Sequence, residues 1–116
     1  MRENMSEDIR KPPRDRSHDD AMAELYRDDP AFALELINHI LADGEHGELL
    51  AVLRQLTRAF GGVPAVAQAA RLNATQLYRT LSPDGNPSLA TLTAILDAMG
   101  LRLAVEPKQP FPAPAA

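Results

Sequence analysis

The 116-residue chain contains no cysteine and no tryptophan, and only 4% of it is aromatic. Without cysteine there is neither a disulfide framework nor a thiolate zinc site. The three histidines, His18, His39 and His46, stand at no spacing that resembles a metal site, so neither a metal nor a cofactor is expected. No apolar run approaches the roughly 20 residues that a membrane span requires. The opening MRENMSEDIRKPPRDR is mixed in charge and lacks the apolar stretch of a secretory signal, so a cytoplasmic protein with no membrane partner is expected. A Gly-rich phosphate loop and a nucleophile–base pair at usable spacing are both missing, and the chain does not read as an enzyme. His39 and His46 beside Asp43 and Glu45 bring acid–base groups together. They fall around a helix end, however, where capping and solubility account for them.

What is present is apolar but small. Residues of the hydrophobic class make up 45% of the chain, and a core with few rings must be built from Leu, Ala, Ile and Val, as in closely packed small helices. The length suits one compact domain with tails. The net charge of −4 is opposite to that expected of a DNA binder, but it is unevenly placed. Residues 1–46 hold six Lys/Arg against twelve Asp/Glu, whereas residues 47–107 hold five Arg against four acids. The second part is close to neutral, which predicts modest affinity for nucleic acid in a single copy. The acidic cluster Asp19, Asp20, Glu24, Asp28 and Asp29 is either a solvated face or a contact for a basic partner such as an RNA-cleaving toxin.

Residues 1–16 are charged, carry Pro12-Pro13 and have little to bury, so they read as a disordered arm. A domain follows over 17–107, and 108–116, with three of the ten prolines, reads as a flexible tail. Within the domain a first helix is expected from Ser17 as N-cap, with Met22, Leu25 and Tyr26 on one side. Asp29-Pro30 restarts the helix, which runs to about Asp43 with Leu34, Ile37 and Leu41 on one face and Gly44 closing it. A third helix covers about Glu48 to Phe60, its stripe Leu49, Leu53, Leu56 and Phe60 serving the core or, less simply, a partner groove. Gly61-Gly62 breaks it.

Two short helices, about 64–70 and 74–81, are then separated only by Arg71, Leu72 and Asn73. That spacing is the signature of a helix-turn-helix, although two small helices of an ordinary bundle would satisfy it as well. Ala67 is small enough for the crossing of the two helices, and Val66, Leu72 and Leu77 fill the space beneath the corner. Asn73 can cap the second helix, with Gln76 completing a capping-box pattern. Ala74, Thr75, Tyr78 and Arg79 are then left facing away from the core, and in such motifs the start of the second helix enters the DNA major groove. Ser82-Pro83-Asp84-Gly85-Asn86-Pro87 is a turn or loop. Ser88 caps a last helix to about Met99, ended by Gly100, and Leu101–Val105 alternates like a short strand stopped by Pro107.

The stretch VPAVAQAARLNATQLYRTLSPDGNPSLATLTAILDAMGLRLAVEP resembles the addiction-module antidote proteins, the HigA-type antitoxins with a phage-repressor (Xre-type) helix-turn-helix. The loop SPDGNPS and the ending RLAVEP are its most specific parts, and the likeness covers about residues 20–107. It implies a five-helix phage-repressor-like domain, so the fold expected is all-α with the short C-terminal β-strand read at Leu101–Val105. It further implies a homodimer on palindromic double-stranded DNA, repression of its own operon and a partner toxin of the RelE/HigB type. By position, Ala74, Thr75 and Arg79 match residues that face base edges. An arginine there can donate two hydrogen bonds to guanine O6 and N7, and Thr75 can meet a thymine methyl. Gln76 and Tyr78 suit phosphate or flanking contacts, and Asn73 can serve as both cap and phosphate donor.

The sequence departs from the family at two points. Arg71 stands where such turns usually have glycine, and must accept a left-handed backbone at some cost. Val63-Pro64 stands where a polar residue usually touches phosphate. Two other functions fit the same residues: a stand-alone prophage-type regulator, and a helical interaction module in which Arg79 is only a solvated surface residue.

Overall fold

A computed structural model describes residues 14–108. All but the last three residues of the expected arm at 1–16, and all but the first of the expected tail at 108–116, lie outside the described residues. Six helices and no strand are found among the described residues: α1 (Arg14–Asp28), α2 (Pro30–Asp43), α3 (His46–Ala59), α4 (Val63–Ala70), α5 (Ala74–Thr80) and α6 (Leu89–Ala98). The all-α expectation therefore holds, while the count is six rather than five and the C-terminal strand is absent.

Helix boundaries follow local chemistry. Asp29 Oδ1 accepts from the Phe32 N–H at 3.1 Å, and Pro30 at the first helical position has no N–H to leave unpaired. At the start of α3 the Glu45 N–H donates to Glu48 Oε1 at 2.8 Å. Ser88 Oγ accepts from the Thr91 N–H at the start of α6. Helix α3 ends at Gly61-Gly62, where the Gly62 N–H reaches the Thr57 carbonyl at 2.9 Å and Gly61 takes φ +108°. Helix α1 opens at Arg14, so Ser17 lies within its first turn rather than before it.

Helices α1 and α2 pack on each other and on α3, α5 and α6 each pack on α4, and α3 meets α4 to join the two groups. One core runs through the whole, with Leu53 and Leu56 of α3 meeting Tyr26, Ile37, Val66, Leu77 and Ile95. Burying each such side chain is worth about 1.5–3 kcal/mol. Between α1 and α3 the contact is also polar. Tyr26 Oη donates to Gln55 Oε1 at 2.8 Å, and Gln55 Nε2 donates to Asp19 Oδ1 at 3.1 Å. Outside them, Arg58 pairs with Asp20 at 2.6 Å across an exposed surface, a contact worth at most about 1 kcal/mol.

Three expected faces are placed differently. On α2 the buried residues are Ala33, Ile37 and Ile40, whereas Leu34 and Leu41 are each 44% exposed. The Leu34/Ile37/Leu41 stripe is real, but the helix is turned so that only its edge meets α3. On α3 the stripe holds through Leu49, Leu53 and Leu56, while Phe60, at the helix end, is half exposed. Leu34 and Phe60 instead border an apolar groove of about 330 Å³, with Ile37, Met99 and Leu101 among its walls. The segment Leu101–Val105 alternates as its sequence does, with Leu101 and Leu103 packed against the helical core and Val105 fully exposed. It has no strand to pair with among the described residues, so the alternation produces packing and no ladder.

Two consequences for stability follow. Burial, and then the nearby Asp19 carboxylate, hold the Tyr26 phenol above the ordinary tyrosine pKa. Its contribution is therefore fully present below pH of about 10 and is lost as pH rises through the raised folded-state value. In urea titrations the wild type should lose stability above that pH more steeply than Tyr26→Phe. At neutral pH the variant should be weaker by about 1–2 kcal/mol, because Gln55 Oε1 loses its donor. Thr57, fully buried on α3, leaves Oγ1 without a hydrogen-bond partner. Thr57→Val should accordingly be neutral or raise the urea midpoint, by up to about 1 kcal/mol in stability, whereas a clear loss would reveal a partner for the hydroxyl.

Candidate nucleic-acid interface

Helices α4 and α5 are short, eight and seven residues, and pack on each other through the Arg71–Asn73 corner. Val66, Ala67 and Leu77 are buried beneath that corner, with Leu72 half-buried against the same core. Helix α4 ends with two backbone bonds, Leu72 N–H to the Ala67 carbonyl at 2.8 Å and Arg71 N–H to the Gln68 carbonyl at 3.2 Å. This pair is a Schellman closure, which requires a left-handed residue between the helix and the chain that leaves it. At the ends of α3 and α6 that place is taken by Gly61 and Gly100; here it is taken by Arg71, with φ 60° and ψ 43°. Arg71 alone among the described non-glycine residues has a positive φ.

Asn73 caps α5, its side-chain oxygen accepting from the Gln76 N–H at 2.9 Å. Leu77 and Leu81 turn inward, and Thr75, Gln76, Tyr78 and Arg79 cover the opposite, exposed face together with the cap residue Asn73. Ala74 departs from expectation. It is half-buried and packs against the core, because at 100° per residue it shares the side of Leu77 and Leu81. The exposed set thus contains hydroxyl, amide, phenol and guanidinium groups on one short helix, a combination able to donate to and accept from a polar surface.

A polar cleft of about 570 Å³ opens beside this face, between α5 and the loop leading to α6. Gln76, Arg79, Asp84, Asn86, Ser88 and Thr91 are among its walls. The loop is folded tightly under α5. Ser82 Oγ donates to the Arg79 carbonyl at 2.7 Å, and the Gly85 N–H donates to the Ser82 carbonyl at 2.8 Å. Gly85 lies so close that a Cβ built there would stand 1.7 Å from the Thr80 carbonyl oxygen, which only glycine tolerates.

Sequence reasoning gave Arg54 no role and read His46 only as a capping and solubility residue at a helix end. Arg54 of α3 donates to the Leu81 carbonyl at 2.6 Å, and His46 Nε2 lies 2.9 Å from the Gly85 carbonyl. A carbonyl only accepts, so the His46 ring carries its proton on Nε2. Both bonds go to main-chain atoms 27 and 39 residues away, and no side-chain pattern marks such partners. Among the described residues no group of three or more His, Asp or Glu is placed to hold a metal ion, and no helix is long and apolar enough to cross a membrane.

Compared with known families, residues 18–107 match the model described as probable addiction module antidote protein. No curated protein and no solved structure was found to match the chain.

The corner supplies its own test. A left-handed backbone costs an L-residue about 1–2 kcal/mol, part of which glycine would return as unfolded-state entropy. Arg71→Gly should therefore stabilise the fold by about 0.5–1 kcal/mol, raising the thermal midpoint by roughly 2–8 °C in a circular-dichroism melt. A fall would mean that the Arg71 side chain makes a contact worth more than the strain.

Proposed function

The chain belongs to the family of probable addiction module antidote proteins, and from that premise we propose a DNA-binding antitoxin that represses its own operon and neutralises a RelE/HigB-type toxin. Membership implies a toxin partner of some kind and a regulatory rather than catalytic role. The observation that carries the DNA-binding part is the exposed face of α5. Thr75, Gln76, Tyr78 and Arg79 are exposed together on a short capped helix that packs on α4 after a three-residue corner, as in a helix-turn-helix recognition element.

In this reading α5 enters the major groove. Arg79 donates to guanine O6 and N7, worth about 1–3 kcal/mol of discrimination. Thr75 meets a thymine methyl, and Gln76, Tyr78 and Asn73 contact phosphate or flanking positions. Ala74, half-buried, contributes at most its methyl edge. Only Arg71 and Arg79 bring positive charge to the corner and α5, so one copy binds modestly and two copies on a palindromic operator supply useful affinity. The copies pair as a two-fold dimer through Leu101–Val105, which covers Val105 and gives each segment the partner strand it lacks among the described residues.

The test is a gel shift on the DNA upstream of the chain's own gene, at low and moderate salt, with and without the neighbouring gene product. Binding should weaken steeply with salt, Arg79→Ala should cost about ten- to a hundredfold, and a toxin-sized neighbour should alter the shifted band. Absence of any shift at low salt would remove the DNA-binding reading and leave the interaction module. A shift with no toxin-sized reading frame beside the gene would favour the stand-alone regulator.

A further inference from the structure

Helix α5 has seven residues; α4 is the helix whose backbone lies beside it, while Leu77 and Leu81 reach into the shared core. A helix so short has no persistence of its own, and its last carbonyls have no partners within it. A polar hold on its far end comes from α3. The Arg54 guanidinium donates at 2.6 Å to the carbonyl of Leu81, the residue that closes α5. About two turns before Arg54 on α3, His46 Nε2 donates at 2.9 Å to the carbonyl of Gly85, where the loop turns back against Thr80. Leu81 itself is buried, so its carbonyl is held from one side by packing and from the other by a charged donor, the stronger kind of hydrogen bond.

We propose that Arg54 and His46 are positioning residues for DNA reading, clamping the end of α5 and the loop after it to the rigid body of α3. The inference rests on the DNA-binding reading above. Neither residue lies on the exposed face of α5, and both spend their donors on the chain's own carbonyls. Their effect on DNA is therefore transmitted through the pose of Thr75 and Arg79. Base-edge contacts tolerate displacements of only about 0.5 Å, and burial of Leu77 and Leu81 is non-directional, so the donated hydrogen bonds are what fix the angle of the C-terminal end of α5. Arg79 is affected most directly, since its own carbonyl accepts from Ser82 in the clamped loop.

The experiment compares full-length Arg54→Ala and His46→Ala with the conservative variants Arg54→Lys and His46→Gln, which each keep a donor. Two readouts are taken: affinity for the upstream DNA as a function of salt, and amide hydrogen exchange along the chain. The expected result is a loss of about tenfold in affinity for Arg54→Ala, the factor corresponding to roughly one hydrogen bond. The loss for His46→Ala should be smaller, and the donor-keeping variants should restore most of each. The slope of affinity against salt should stay as in the wild type, because no phosphate contact is removed. Exchange should rise over residues 77–88 while α1 and α2 are unchanged.

Wild-type affinity in the folded alanine variants would overturn the proposal, and so would a salt slope lowered by about one, which marks a direct phosphate contact. If the wild type itself binds no DNA, the functional reading has failed. The exchange pattern still decides the clamp: unchanged protection over 77–88 in both alanine variants refutes it.

Discussion

Helix α3 is used on nearly every side, and the other elements take their places from it. Leu50 and Leu53 are wholly buried, Gln55 meets Tyr26 and Asp19 of α1, Arg58 meets Asp20, and Arg54 meets the chain after α5. A helix surrounded in this way cannot shift without disturbing both groups of helices, since α1 and α2 reach α4–α6 chiefly through it. With no cysteine to staple the chain, this shared helix and one Leu- and Ile-rich core are what hold the two groups together. The polar bonds on α3 add direction to that packing. Apolar contact alone would allow α1 to slide or rotate, whereas the Tyr26–Gln55–Asp19 chain fixes one register.

Much of this plan could be read from the residues because helix ends are local. Asp29-Pro30, Gly44, Asn73, Ser88 and Gly100 each solve the problem of unpaired end groups within four residues, so the boundaries of α2, α4, α5 and α6 fell close to expectation. The left-handed state of Arg71 was legible for the same reason: a three-residue corner leaves few backbone choices. Faces were harder. On α2 both Leu34/Ile37/Leu41 and Ala33/Ile37/Ile40 fit helical spacing, and only the placement of α3 selects between them. Ala74 is a different case, since its spacing to Leu77 and Leu81 already put it on the inner side. Leu101–Val105 alternates whether its partner is a strand or a packed core. Of the proposed reading face, Thr75, Gln76, Tyr78 and Arg79 are exposed, whereas the main-chain partners of Arg54 and His46 left no trace in the pattern.

The apolar groove bordered by Leu34 and Phe60 lies among α2, the end of α3 and the end of α6, apart from the residues exposed on α5. Leu34 and Phe60 both belong to stripes that look like core in sequence. The core needed only part of each stripe. The remainder gives the molecule a second surface of different chemistry, apolar where the α5 face is polar and hydrogen-bonding.

The brevity of α5 has a thermodynamic corollary. A seven-residue helix has little stability of its own and depends on its cap, on the burial of Leu77 and Leu81 and on the Arg54 hydrogen bond, and its other side chains face outward. Anything that grips that face must first find it formed, so occupancy of the face and persistence of the helix are linked quantities. A ligand there raises the stability of the element by RT ln(1 + [L]/Kd). Reciprocally, every contact that steadies α5 from within raises the affinity of whatever binds outside.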